Sequence, residues 1–102
     1  MYPMTEDHRA RIAELCRRFQ VRRLDVFGSA AREDFKAVGS DVDFLVEFLD
    51  ENRGPGLDAY FGLKDGLEAL LGRPVDLVMP EAVTNPYFRA DIDRHRTMVY
   101  AA

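Results

Sequence analysis

Residues 27–46 read F-G-S-A-A-R-E-D-F-K-A-V-G-S-D-V-D-F-L-V. A Gly28-Ser29 pair closes one apolar run, and Asp41-Val42-Asp43 opens the next. Gly28 has no side chain to clash, so its backbone can approach a phosphate closely. Ser29 offers a hydroxyl and a backbone N–H at the start of a short helix that begins at Ala30. Helix N-termini hold anions through unpaired N–H groups and the dipole. On a strand, Asp41 and Asp43 point to the same face, with Cα atoms roughly 6.5–7 Å apart. Two carboxylates on one face can hold one Mg²⁺, or two at about 3.5–4 Å separation, and bridge them to phosphate oxygens. Ser40, just before them, can orient a carboxylate or touch a phosphate. The layout suits a chain that holds a nucleoside triphosphate and divalent metal. The plainer reading is a turn after one strand and solvated acids before another. Against it, Asp43 runs directly into Phe44-Leu45-Val46, and an acid at the mouth of an apolar run is costly unless exposed or paired.

Working outward, Leu24–Phe27 reads as a first strand within 21–27. Val42–Phe48, mostly apolar, reads as a second and central one. Thr5 is a suitable N-cap, with Glu6 and Asp7 in the first turn. Ile12, Leu15, Cys16 and Phe19 fall at helical spacing, so residues 6–19 form an amphipathic helix. Ala30 to Phe35 is a short helix, and Leu49 to Gly56 a polar loop holding Gly54-Pro55-Gly56. Leu57, Tyr60, Phe61, Lys64, Leu67, Leu70 and Leu71 mark a long helix stopped by Gly72, with Pro74 beyond. Val75 to Met79 is a third strand. Glu81 to Tyr87 is expected to be irregular, because Pro86 disfavours helix before it. Tyr87 to Tyr100, with Phe88, Ile92, Met98 and Val99, is expected to be a last helix.

The order is α-β-α-β-α-β-α, without internal repeats. It predicts an α/β or α+β fold: a small mixed sheet of three or more strands flanked by helices. Ligands in such sheets sit at strand ends. Gly28 at the end of one strand and Asp41 and Asp43 at the start of the next can meet only if those strands run antiparallel or in a mixed sheet.

At 102 residues the chain is expected to be one domain, and 47% hydrophobic content allows a modest core. No run of eighteen or more apolar residues marks a membrane span. Residues 1–7 lack the basic start and apolar stretch of a signal peptide. The single cysteine, Cys16, makes no internal disulfide, so the cytoplasm is the expected compartment. A net charge of −4 argues against a general nucleic-acid binder. Arg9, Arg11, Arg17, Arg18, Arg22 and Arg23 concentrate positive charge near the N-terminus, best read as a solvated helix face with local ion pairs.

With G-S-x-x-R at Gly28–Arg32 and S-D-x-D at Ser40–Asp43 followed by an apolar run, the chain resembles the minimal nucleotidyltransferases of the DNA polymerase beta-like superfamily. The resemblance covers almost the whole chain, as one nucleotidyltransferase domain over residues 1–102. It extends to a later carboxylate in Val75-Asp76-Leu77-Val78. It implies the nucleotidyltransferase fold, with Asp41, Asp43 and Asp76 as the catalytic, Mg²⁺-binding carboxylates. Gly28 and Ser29 would cradle the triphosphate, with Arg32 and Ser40 as further nucleotide contacts. Asp76 would complete the metal site or help deprotonate the attacking hydroxyl. The implied reaction moves AMP from ATP to a hydroxyl and releases pyrophosphate. Small members of the family pair with HEPN-domain ribonuclease toxins and act as antitoxins by adenylylating a toxin tyrosine, so a hetero-oligomer with a HEPN toxin is implied. Neutralisation by binding alone, or transfer to a small molecule, are the alternatives. The three carboxylates count against the first, and a chain too short to build an acceptor pocket counts against the second. One departure is Glu33, where the family often has glycine after the motif arginine.

Other residues carry less. Cys16 belongs to an apolar helix face and reads as core. His8 and His95 lack partners at metal-ligand spacing. Arg32 either reaches a phosphate or pairs with Glu33 or Asp34. Tyr60 and Phe61 fit a helix core, with Tyr60 able to edge a nucleotide pocket. Arg89, Arg94 and Arg96 with Asp91 and Asp93 read as a charged helix face. No Ser-His-Asp arrangement, zinc-type cluster or Walker-type lysine loop is present.

Overall fold

A computed structural model describes residues 5–28, 41–49 and 57–102. The expected helix after Ala30 and the loop at residues 50–56 lie outside the described residues. Helix α1 spans Glu6–Arg18, and Thr5 caps it by accepting from the His8 N–H at 3.1 Å. Strand β1 (Val21–Phe27) follows through a turn in which Gln20 takes φ 59°. Strand β2 is Val42–Phe48, helix α2 Leu57–Leu71 and strand β3 Val75–Val78. A 3-10 turn at Pro80–Ala82 leads to helix α3 (Pro86–His95) and strand β4 (Thr97–Ala101).

The four strands form one mixed sheet in the order β3-β2-β1-β4. β1 runs antiparallel to both β2 and β4, and β2 runs parallel to β3. The period of two in each strand divides the side chains between two faces. Val42, Phe44, Val46 and Phe48 of β2, Val75 and Leu77 of β3, and Val21, Leu24 and Val26 of β1 join Ile12 and Cys16 of α1 and Leu63, Leu67 and Leu71 of α2 in the main core. The three-residue step from Val21 to Leu24 is accommodated by a bulge, where the β1–β2 register shifts between Val21 and Arg23. α1 packs closely on α2 because Gly62 and Gly66 leave room for the Phe19 ring and the Leu15 side chain. A Cβ at either glycine would come within 2.6–2.7 Å of those atoms. The opposite face is thinner: Phe27, Leu45 and Ile92 bury there, with Val78 and Val83 packed around them. α3 is therefore the cover of that second face.

Two expectations about the C-terminal third are corrected. Residues 83–85 before Pro86 are irregular, as expected, but Pro80–Ala82 form a 3-10 turn and the helix begins already at Pro86. The proline's missing N–H is an orphan at that position in any case, and its fixed φ suits the first turn. Asn85 caps the helix, its Oδ1 accepting from the N–H groups of Tyr87 at 2.9 Å and Phe88 at 3.3 Å. The helix then stops at His95 and does not continue to Tyr100. Arg96 is extended, and Met98, Val99 and Tyr100 belong to β4, which takes the free edge of β1. Thr-Met-Val-Tyr favours a pleated surface over a helix when an open strand edge is available. The third strand also ends at Val78, one residue earlier than expected.

Candidate active site

The antiparallel pairing of β1 with β2 places the end of one strand beside the start of the other. Phe27 is the register partner of Asp43. The next residue, Gly28, has φ +68°, a conformation that L side chains seldom adopt. A Cβ at Gly28 would also collide with Asp43 Oδ2. Glycine is therefore required twice over at this position: for the turn, and for the approach of the Asp43 carboxylate to the backbone.

The parallel pairing of β2 with β3 makes Asp76 the register partner of Asp43. The Val42 N–H starts that ladder by donating to the Pro74 carbonyl at 3.0 Å. On the helix side, Glu68 Oε2 accepts from the Val75 N–H at 3.0 Å and Tyr60 donates its hydroxyl to the Leu77 carbonyl at 2.6 Å. These bonds tie β3 to α2 and so set the strand that carries Asp76. Tyr60 thus packs against the core and holds the sheet, and Phe61 beside it is exposed rather than core. Asp43 is half-buried, and Asp76 and Asp41 are exposed. Asp41 stands one residue ahead of β2, two before Asp43.

Adjacent strands lie about 4.8 Å apart, so two carboxylates at paired positions on one face repel unless a cation lies between or near them. Among the described residues no three of His, Cys, Asp and Glu gather into a ready-made metal cage. The Asp43–Asp76 pair is a hard oxygen donor set of the kind that hard divalent cations take. Ser29, Arg32 and Ser40 lie outside the described residues; Gly28, Asp41, Asp43 and Asp76 lie within them.

One feature of this face was not singled out from sequence as a site. Asp25, 1% exposed, receives Arg23 Nε on Oδ1 at 2.9 Å and faces Arg96 Nε from Oδ2 at 3.2 Å. Arg96 also pairs with Asp93 at 3.4 Å. The hydrogen bond and charge of Asp25 raise the Arg23 pKa above its ordinary value. The signal was available as Leu24-Asp25-Val26, an acid inside a strand. The partner Arg96, seventy-one positions later, was not foreseeable.

The profile of the nucleotidyltransferase domain family matches residues 9–99. The chain belongs to that family. A protein adenylyltransferase, MntA, of Thermococcus cleftensis is 47% identical over 70 residues, 69% of this chain and 67% of the relative. A proposed protein adenylyltransferase of Methanocaldococcus jannaschii, MJ0128, is 40% identical over 76 residues, 74% of each chain. Among solved structures, one proposed to be a minimal nucleotidyltransferase is 35% identical and superposes with a TM-score of 0.72 over 89% of this chain and 88% of that one. The nucleotidyltransferase described here is thus of the minimal kind. A complex of a tri-AMPylated Shewanella oneidensis HEPN toxin with its minimal nucleotidyltransferase antitoxin shares the fold at 19% identity, with a TM-score of 0.61 over 97% of this chain and 74% of that chain. No described helix is long and apolar enough to cross a membrane.

Proposed function

We propose that this nucleotidyltransferase transfers AMP from ATP to a tyrosine hydroxyl of a HEPN ribonuclease toxin and so acts as its antitoxin. The observation that carries the reading is the register that sets Asp76 beside Asp43, with Gly28 folded against the Asp43 carboxylate. The names of the relatives support the choice of a protein acceptor, since two that cover most of this chain are described as protein adenylyltransferases. The shared fold with a HEPN toxin complex supports the choice of partner.

In this reading Asp41 and Asp43 would hold Mg²⁺, and Gly28, Ser29, Arg32 and Ser40 would hold the phosphates. The metal would supply neutralisation of the triphosphate and of the charge that develops in transfer. The acceptor oxygen forms a bond to the α-phosphorus, the α–β anhydride bond breaks, and pyrophosphate leaves. Asp76, exposed on the edge strand β3, would complete the metal site or take the hydroxyl proton.

The test is incubation with Mg²⁺, α-labelled ATP and lysate of the native host, with Asp43→Asn alongside. The expected result is one labelled protein of HEPN size with the wild-type chain and none with the variant. Loss of one metal carboxylate should cost several kcal/mol of transition-state stabilisation, roughly 10²-fold or more in rate. A toxin neutralised equally well by Asp43→Asn, without label, would replace catalysis with binding alone.

A further inference from the structure

Few large apolar side chains are exposed among the described residues, and two of them are consecutive: Tyr87 at 86% and Phe88 at 47%. Both lie in the first turn of α3, whose cap at Asn85 holds both of their backbone N–H groups. The cap thus holds their backbone at the helix start, while the rings are open to solvent. The Phe88 ring meets the Phe27 ring edge to face, with centroids 6.3 Å apart. Phe27 is the register partner of Asp43, so their Cα atoms lie about 4.5–5.5 Å apart. Phe27 also immediately precedes the Gly28 turn. The strand position opposite Asp43 thus carries a ring that packs against a half-exposed aromatic on the same face of the sheet.

Packing accounts for only half of Phe88. One edge is fixed by Phe27, while Ile92, one turn later, does the burying under α3. Phe61, another exposed aromatic, differs in place: it lies on α2, on the opposite side of the sheet, with its ring edge to face with that of Tyr60. A nucleotide whose α-phosphate lies at Asp43 carries its base only one sugar away. Every nucleobase offers a π face, and a fixed aromatic ring is the side chain that such a face recognises.

We propose that Phe88 is a binding residue for the donor nucleotide, stacking its exposed ring on the nucleobase, with Tyr87 extending the aromatic shelf. The proposal rests on the nucleotidyltransferase reading of the carboxylate pair and adds the part of the site that grips the base. A stacking contact is tolerant of base identity, so Phe88 would supply affinity more than choice among purines.

The chain contains no tryptophan, so Phe88→Trp installs a unique fluorophore on the shelf. With Mg²⁺ present, ATP should quench it, whereas inorganic triphosphate, which has no base, should bind without quenching. Phe61→Trp is the control and should show no response to ATP. In parallel, Phe88→Leu keeps an apolar contact for Phe27 but removes the π face. Its ATP dissociation constant, measured by calorimetry, should rise roughly 5- to 150-fold, with triphosphate binding unchanged. A thermal melt verifies that the variant is folded; if it is not, the Phe88→Trp titration alone tests the stack. Wild-type ATP affinity in folded Phe88→Leu, or equal quenching by triphosphate, would overturn the proposal while leaving labelled transfer intact. Loss of capture of a protein acceptor with unchanged ATP binding would overturn it in favour of a partner surface. Failure of the wild-type chain to bind ATP at all would overturn both this proposal and the nucleotidyltransferase reading.

Discussion

The two faces of the sheet are built from alternate residues of the same strands and do opposite things. The face under α1 and α2 is apolar throughout: Val42, Phe44, Val46, Val75 and Leu77 meet Leu63 and Leu67 without a buried polar side chain among them. The face under α3 carries Asp43, Asp76 and Asp25 among Phe27, Leu45 and Ile92. In β2 the switch takes one residue, from Asp43 to Phe44. The helical face supplies the burial that offsets chain entropy. The other face can then afford paired acids, a positive-φ turn and open aromatic rings, each of which lowers stability.

The largest expected effect separates these neighbours. Phe44→Ala should destabilise the fold by about 3–5 kcal/mol, the range for deleting a buried aromatic, read as a shift in urea midpoint. The fraction that remains folded should keep its transfer rate. If Phe44→Ala lost activity at full foldedness, the division between the faces would be wrong. Gly28→Ala should do the converse. It forces a Cβ into the Asp43 carboxylate at a positive φ, so transfer should fall by roughly 10²-fold, with a stability loss of only about 1–2 kcal/mol.

A finer test concerns Asp25, the acid on the chemical face that is not proposed to touch nucleotide. Breaking a buried ion pair by removing one partner typically costs about 3–5 kcal/mol. Here Arg23 and Arg96 retain 39% and 26% side-chain exposure and can be hydrated. Asp25→Ala should therefore cost less, about 1–3 kcal/mol in urea unfolding. Transfer by the folded variant should be near wild type; a rate loss like that of Asp43→Asn would make Asp25 part of the site.

The smallest effect belongs to the helical face. Burial raises the Cys16 thiol from its usual value near 9 to about 12, with Arg17 opposing the shift slightly. Between those values the unfolded thiol ionises while the folded one stays protonated. The folded state then binds more protons, and stability falls as pH rises from about 9 towards 12. Urea midpoints for the wild-type chain should decline with pH more steeply than those of Cys16→Ala over that window. Below pH 9 the two should run parallel, and the folded thiol should resist thiol reagents.

Much of this was legible in order along the chain. Thr5 and the apolar period of α1, the Gly72 stop of α2, the strands around Phe27 and Phe44, and the pairing of a glycine turn with acids all follow from local rules. Those rules place the start of α3 one residue late and misread the last strand. Asn85-Pro86 is as good a helix start as it is a break, and Thr97–Ala101 becomes a strand only because β1 has an edge to fill. Local reading is enough to supply the residue types: three acids in strand contexts, a glycine after an apolar run, and enough apolar residues for one core. It takes the folded sheet to stand Asp76 beside Asp43, to face Asp25 with Arg96, and to set Phe88 against Phe27. Each of these pairs is separated by dozens of residues, and strand register is a contact between distant segments that no local pattern encodes.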